Sequence, residues 1–317
     1  MIRLCIPMLA ILLTACSAPA DIRDSRFIMG TLVEFTVTGA DESVASAAIR
    51  AAANEMQRIE NAFTIYGEVD NSVKRFNRSH IGEMVQLPEE ISSLLTTALT
   101  IKRESNGAFD PALGKLNQLW GFSQPEAPTS PPSSRAIREA TPPPLCIEKR
   151  DQGWVRLHDT CQLDFGAIAK GYAIDRGIEI LRSHDISNAI INAGGDIRLI
   201  GSHGDRPWRI GIRHPRNKSD VIKTLELQGD VAVVTSGNYE RFYIFEGKRY
   251  HHILDPKTGW PGNSVQSATV IANSAMNADA WSTALFVLGG RSSTALIDFK
   301  KTSLVIDSEG DFMVDTL

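Results

Sequence analysis

The chain has 317 residues, of which 43% are hydrophobic and 22% charged, with a formal net charge of −4. That is enough apolar material for a sizeable core, in one large domain or two smaller ones. The negative balance excludes a nucleic-acid binder that works by bulk positive charge, so any phosphate must be met locally, by a bound cation, Lys170 and backbone amides.

Arg3 is a minimal charged region, and residues 4–13 are apolar but too short to span a bilayer comfortably. Leu13-Thr14-Ala15-Cys16 then sets small residues before a cysteine. This is similar to a bacterial lipoprotein signal, in which residues 1–15 are removed and Cys16 becomes the lipidated N-terminus, anchored to a membrane without spanning it. The plainer alternative is a secretory signal cut near Ala18 or Ala20. Cys16 sits where the apolar run stops, which favours the lipoprotein, and Ser17 leaves no Asp there to suggest inner-membrane retention. The expected organisation is a tether over 16–26 and one folded domain over 27–317, on the periplasmic side of a bacterial membrane.

Residues 27–37 predict a strand, alternating through Val33, Phe35 and Val37. Asp41 caps a long helix whose buried face is expected to carry Val44, Ala47, Ala48, Ala51, Met56, Ile59 and Phe63. Pro88 opens a second helix with Ile91, Leu94, Leu95, Ala98, Leu99 and Ile101 inward, ended by Asn106-Gly107. Residues 124–144 are rich in Pro and Ser and read as a linker or excursion, with a short helix over 134–140. Strands are expected over 154–157 and 162–165, a helix over 166–183, and then strands over 188–200, 208–213, 224–227, 231–235, 241–246 and 266–271. Helices over 276–288 and 292–299 and strands over 303–307 and 312–314 complete the chain. Runs of strands with segregated helices predict an α+β fold of mixed, mostly antiparallel sheets with packed helices. Cys146 and Cys161 flank an expected strand turn at 151–153; they form a disulfide in an oxidising compartment or remain two buried thiols, and their spacing does not suggest zinc.

Two distant segments read as halves of one site. Asp164-Phe165-Gly166-Ala167-Ile168-Ala169-Lys170-Gly171 carries an acid at a strand end, a permissive glycine, and a lysine able to meet a phosphate. Asn277-Ala278-Asp279-Ala280-Trp281-Ser282-Thr283-Ala284 puts Asp279 and Thr283 on one helix face, where both can reach a hard divalent cation. Helix starts favour anions. The bland readings are a helix-capping Asp164, a solvated Lys170, and an Asp279 that only complements a helix dipole. Gly171 inside a helix costs stability, which points to tight packing or a close ligand. Gly194-Gly195 interrupts an apolar strand as a bulge or close contact. Thr235-Ser236-Gly237 leads to a cation at Arg241. His252 lies in a turn-rich stretch as a candidate general base. No P-loop, GxGxxG, HExxH, nucleophile elbow or CxxC is present.

In order and combination these segments resemble the FAD:protein FMN transferases, also called ApbE-type flavin transferases. The resemblance runs from Met29-Gly30-Thr31 through Asn106-Gly107-Ala108-Phe109-Asp110-Pro111, Asp164 to Gly171 with Tyr172-Ala173-Ile174-Asp175, Gly194-Gly195-Asp196, Thr235-Ser236-Gly237 and His252 to Pro261, ending at Ala278 to Ala284. It implies an enzyme that splits FAD with Mg²⁺, releases AMP and joins FMN through a phosphodiester to a threonine of a target protein, a membrane redox subunit. It also implies cation ligands at the Ala167 backbone oxygen, Asp279 and Thr283. FAD contacts are implied at Met29, Tyr66, Ala108, Phe109, Asp110, Asp164, Lys170 and Ile253. His252 is the candidate base for the acceptor hydroxyl or for water. Some members carry a further acid between the helix Asp and Thr; here Ala280-Trp281-Ser282 fills that interval, which leaves the number of metals open. An FAD pyrophosphatase yielding FMN and AMP needs the same residues, and a non-catalytic FAD-binding lipoprotein is the reading from a different class.

Overall fold

The computed structural model describes residues 21–289, 302–307 and 311–316, apart from 125, 127, 152 and 218. Cys16, the signal, residues 16–20 of the expected tether, and the helix expected over 292–299 lie outside the described residues, whereas residues 22–26 of that tether belong to a strand, Ile22–Ile28.

The central layer is an eight-stranded antiparallel sheet. Its strands, in spatial order, are β1 (Ile22–Ile28), β2 (Thr31–Val37), β6 (Ala189–Ala193), β7 (Asp196–Ile200), β10 (Val231–Gly237), β13 (Val265–Ala272), β14 (Thr302–Asp307) and β15 (Phe312–Thr316). Alternation separates its faces, because successive side chains of a strand point opposite ways. Val33, Phe35, Val37, Ala189 and Ile191 enter the main core, whereas Ile190 and Leu199 turn to the other side, where the hairpin of β8 (Trp208–Arg213) and β9 (Val221–Leu227) covers them. Smaller sheets pair β3 (Met84–Val85) and β4 (Ile147–Arg150) with β5 (Gly153–Arg156), and β11 (Phe242–Phe245) with β12 (Lys248–His251).

Helices α1 (Glu42–Phe63), α6 (Ala169–Ser183) and α7 (Ala275–Leu288) pack one on the next against the sheet. Asp41 caps α1, accepting from the Ser43 and Val44 N–H groups. The buried stripe of α1 runs through Ala45, Ala48, Ile49, Ala52, Ala53, Met56, Ile59 and Phe63. Val44 is 43% exposed, so the first turn is rotated by one position from the expected face. Glu42 starts the helix and directs Ala45, not Val44, inward.

Three shorter helices, α2 (Ser72–Arg78), α4 (Gly114–Trp120) and α5 (Ser134–Ala140), flank α3 (Glu89–Glu104) in sequence. The Pro-rich excursion is not a free linker. Ile137 and Ala140 of α5 are buried in a satellite core with Leu116, Trp120, Tyr243 and Tyr250.

Two expected strands and one helix start change. The run over 188–200 is a hairpin, not one bulged strand. Gly194 (φ 64°) and Gly195 (φ 104°) reverse the chain between β6 and β7, in backbone that glycine adopts at no steric cost. Residues 162–165 form no strand; only Gln162 bridges, to Leu113. The helix expected from 166 begins at Ala169, after a turn. Cys146 and Cys161 are joined by a disulfide, tying the start of β4 to the segment that leads to Asp164.

Candidate functional site

The two chemistry-bearing segments meet where α6 and α7 begin. The first N–H groups of a helix have no partner inside it, and here each helix supplies a carboxylate to the other. Asp175 of α6 accepts from the Ala275 N–H (2.8 Å), the Met276 N–H (3.1 Å) and the Ser274 hydroxyl (2.8 Å) at the start of α7. It also accepts from Arg198 Nη1 at 2.6 Å. In return, Asp279 Oδ2 of α7 accepts from the Gly171 N–H of α6 at 2.9 Å. The exchange requires close approach, and Gly171 permits it: a Cβ there would overlap the Ala275 carbonyl.

The same exchange frees an oxygen. Ala169 N–H reaches the Phe165 carbonyl and Tyr172 N–H the Ile168 carbonyl, as helical spacing asks. The Gly171 N–H, which that spacing would aim at Ala167, goes to Asp279 instead. The Ala167 carbonyl therefore stands outside the ladder beside α6.

Asp279 is 4% exposed. Burial pushes its carboxyl above the usual range, opposed by the Lys170 charge and the Gly171 N–H. Lys170 contacts the Asp196 carboxylate; burial pulls its ammonium down while Asp279 holds it up. Thr283, one turn after Asp279, lies 3.2 Å from Ser236 Oγ, which also contacts Ser282 Oγ at 2.8 Å. Among the described residues no group of three or more His, Cys, Asp or Glu could hold a metal. The all-oxygen set of Ala167 carbonyl, Asp279 and Thr283 nonetheless fits a hard divalent cation such as Mg²⁺, which takes one or two carboxylates and keeps water or phosphate on its other positions.

A second group surrounds Asp164. Its carboxylate accepts from Asn117 Nδ2 at 2.8 Å, the Tyr66 hydroxyl at 3.3 Å and the Gly166 N–H at 2.8 Å. Burial and then Asp164 push the Tyr66 phenol up, so it stays a donor. Met29 sits at φ 55°, a backbone state costly for a non-glycine residue, in the tight turn joining β1 to β2. A Cβ on its neighbour Gly30 would lie 3.1 Å from Arg241 Nη2, and Arg241 Nη1 donates to Ser123 Oγ at 3.2 Å.

His252 joins the two groups. Burial first, then the charges of Arg241, His251 and Lys170, depress its pKa to about 3. Its Nδ1 is buried with no hydrogen-bond partner among the described residues. Neighbouring His251 is fixed by donation from Nε2 to the Gly262 carbonyl at 2.5 Å and acceptance by Nδ1 from the Ile253 N–H at 3.3 Å, and burial lowers it to about 4. Ile253 is buried, with its carbonyl accepting from Gly262 N–H at 3.0 Å.

The segment of Phe109 and Asp110 runs beside Asp164, since the Asp164 N–H donates to the Pro111 carbonyl at 2.8 Å, and both residues make buried contacts of their own. Phe109 is buried, and its N–H donates to Ser105 Oγ. Asp110 is a buried partner of Lys102 at 2.7 Å and accepts from the Ala112 N–H; burial raises its carboxyl against the pull of Lys102. Asn117, Ser123, Ser236 and Arg241 belong to the site without having been singled out as site residues. Only Arg241 and Ser236 carried a signal, as a cation and a hydroxyl around a glycine turn. Two clefts, of about 520 Å³ beside Asp21, His203 and Trp208 and about 380 Å³ beside Arg182, Ile186 and Gly229, contain none of these residues.

Residues 29–306 match the model of the ApbE family. A FAD:protein FMN transferase of Rhodobacter capsulatus is 32% identical over 280 residues, covering 86% of this chain; the chain spans about half of that relative's length (53%). A FAD:protein FMN transferase of Klebsiella pneumoniae (strain 342) is 31% identical over 269 residues, 84% of this chain and 82% of the relative. In three dimensions the chain is similar to the ApbE protein of Thermotoga maritima, with TM-score 0.82 and 36% identity over 93% of this chain and 96% of that one. It is also similar to the flavin transferase ApbE of Vibrio cholerae, with TM-score 0.81 and 26% identity over 94% and 97%.

Proposed function

Because the chain belongs to the ApbE family, we propose that it is a Mg²⁺-dependent FAD:protein FMN transferase that attaches FMN to a threonine of an acceptor protein and releases AMP. The observation that carries this reading is the junction of α6 and α7, which offers a buried carboxylate near Lys170, a carbonyl outside the helical ladder and, one turn after the carboxylate, the Thr283 hydroxyl.

In the reaction, the acceptor threonine Oγ bonds to the FMN phosphorus of FAD. The anhydride P–O bond breaks, and AMP leaves with the bridging oxygen. Mg²⁺ held by the Ala167 carbonyl, Asp279 and Thr283 would neutralise charge on the pyrophosphate. Lys170 and Arg241 add positive charge on the same side, and the Asp164–Tyr66–Asn117 cluster and the Met29 turn hold the flavin end. His252 Nδ1, neutral and unpartnered, takes the threonine proton. Its low pKa reflects burial and two cations; a bound pyrophosphate offsets those cations and raises its basicity toward the useful range.

The same reading takes Cys16 as lipidated, holds the enzyme at the periplasmic face of a bacterial membrane, and makes a membrane redox subunit the acceptor. Support comes from the short apolar run ending at Cys16 and from the disulfide, which suits an oxidising compartment. The test mixes lipid-free protein, FAD, Mg²⁺ and a threonine-bearing acceptor domain, with acceptor mass and AMP measured together. A mass gain equal to FMN, dependent on Mg²⁺ and lost in Asp279→Ala, is the expected result. AMP with free FMN and an unmodified acceptor would make the protein a pyrophosphatase, and bound FAD without AMP a carrier.

A further inference from the structure

Behind the candidate cation ligands, three hydroxyls stand in a chain, and counting protons gives the chain one direction. A serine or threonine hydroxyl has a single proton to donate and two lone pairs. Ser282 is fully buried, and its Oγ donates to the Asp279 carbonyl at 2.9 Å. A carbonyl can only accept, so the one proton of Ser282 is committed. The 2.8 Å contact between Ser282 Oγ and Ser236 Oγ therefore has Ser236 as donor, which commits the Ser236 proton. The 3.2 Å contact between Ser236 Oγ and Thr283 Oγ1 then has Thr283 as donor. Donation runs from Thr283 to Ser236 to Ser282 to the Asp279 carbonyl.

This direction matters because a neutral hydroxyl ligates a cation through a lone pair, with its proton turned away. A free threonine hydroxyl rotates and presents either. We propose that Ser236 is a positioning residue for the cation site: by accepting the Thr283 proton it fixes the Thr283 lone pairs toward the divalent cation shared with Asp279 and the Ala167 carbonyl. The proposal rests on the reading of Thr283 as a cation ligand. It also gives buried Ser282 a task. Ser282 adds no second carboxylate to the site; it sets the polarity of the chain and ties it to the backbone of the residue that supplies the first. Loss of an outer group that orients a ligand typically costs 10- to 100-fold in metal affinity or activity.

The test uses the full chain and Mn²⁺ as a paramagnetic probe, titrated by electron paramagnetic resonance, alongside the Mg²⁺ dependence of AMP release from FAD. Ser236→Ala is expected to weaken Mn²⁺ binding by about tenfold and to raise the Mg²⁺ needed for half-maximal rate by a similar factor, the deficit shrinking as Mg²⁺ saturates. Ser236→Thr, which keeps the hydroxyl on a strand that tolerates a β-branched residue, is expected to restore most of the affinity. Wild-type Mn²⁺ affinity in Ser236→Ala, or a rate deficit unchanged at saturating Mg²⁺, would overturn the positioning role. Asp279→Ala separates the two levels. If it abolishes Mn²⁺ binding while Ser236→Ala does not weaken it, the hydroxyl chain is refuted and the cation site stands; if Asp279→Ala binds Mn²⁺ like wild type, the cation site itself is refuted and the positioning role with it.

Discussion

Asp175 and Asp279 occupy matching places, each on one helix and each accepting from the opening turn of the other, yet the two ends of this exchange are finished differently. Asp175 is saturated by two backbone N–H groups, the Ser274 hydroxyl and Arg198, which also pairs with Asp230. Asp279 receives a single backbone N–H and has Lys170 nearby. One geometry thus makes a structural cap where every lone pair is taken, and a candidate ligand where capacity is left over. What distinguishes a site from a cap is unspent hydrogen-bonding capacity in a buried carboxylate, which costs free energy until something positive arrives.

The comparison breaks most visibly at the saturated end. Asp175→Ala leaves Arg198 and the α7 N–H groups without their carboxylate, and removing one partner of a buried pair costs about 3–5 kcal/mol; urea unfolding is expected to show that loss. Asp279→Ala should leave most of the stability in place and lower Mg²⁺-dependent AMP release by more than about 100-fold, beyond what loss of an outer supporting contact costs. If the two variants trade phenotypes, the distinction between cap and ligand fails.

Gly171→Ala probes both ends at once. Its methyl would overlap the Ala275 carbonyl and force the helices apart, at a cost of about 1–3 kcal/mol from overpacking, with weaker Mn²⁺ binding as the second readout. Acid acts through the two histidines beside the site. His251 and His252 are held neutral, with pKa values pulled from 6.5 to about 4 and about 3. The unfolded chain therefore binds more protons than the folded one below pH 6.5, and stability falls as pH falls from 6.5 toward 4. Between pH 6.5 and 5.5 each of the two histidines contributes a loss of about 1 kcal/mol; His251→Gln should remove about half of that slope, and Asp175→Ala should keep it.

Much of the fold was legible because it is written in short windows. Asp41 before an apolar periodicity, Pro88 at a helix start, and the alternation of Val33, Phe35 and Val37 each act over a few residues, and the structure carries them. Failures came where a local pattern has two solutions. Gly194-Gly195 suits a bulge and a tight turn equally, and only pairing of β6 with β7 decides. The register of α1 slipped because Val44 and Ala45 are both apolar.

The site was legible in its parts and not in its joinery. Asp279, Thr283, Lys170 and Asp164 stand in recognisable surroundings. The bond from Gly171 to Asp279 spans 108 residues of sequence, and nothing local announces it. The cost of Gly171 inside a helix was visible and left packing and ligand approach equally open; the Ala275 carbonyl settles it as packing. Ser236 looked like turn chemistry because its partners lie 46 and 47 residues away.

The disulfide has a consequence for how the molecule is made. Cys146 and Cys161 are 15 residues apart, and the ring they close includes β4 and β5 and ends three residues before Asp164. A ring of that size restrains the unfolded chain by about 3 kcal/mol. Chains produced under reducing conditions would emerge with two thiols and a slacker approach to Asp164, whereas chains folded under oxidising conditions would carry the brace. Oxidised and reduced forms of the same chain should therefore differ in mass by two hydrogens only, yet differ in how much urea they withstand.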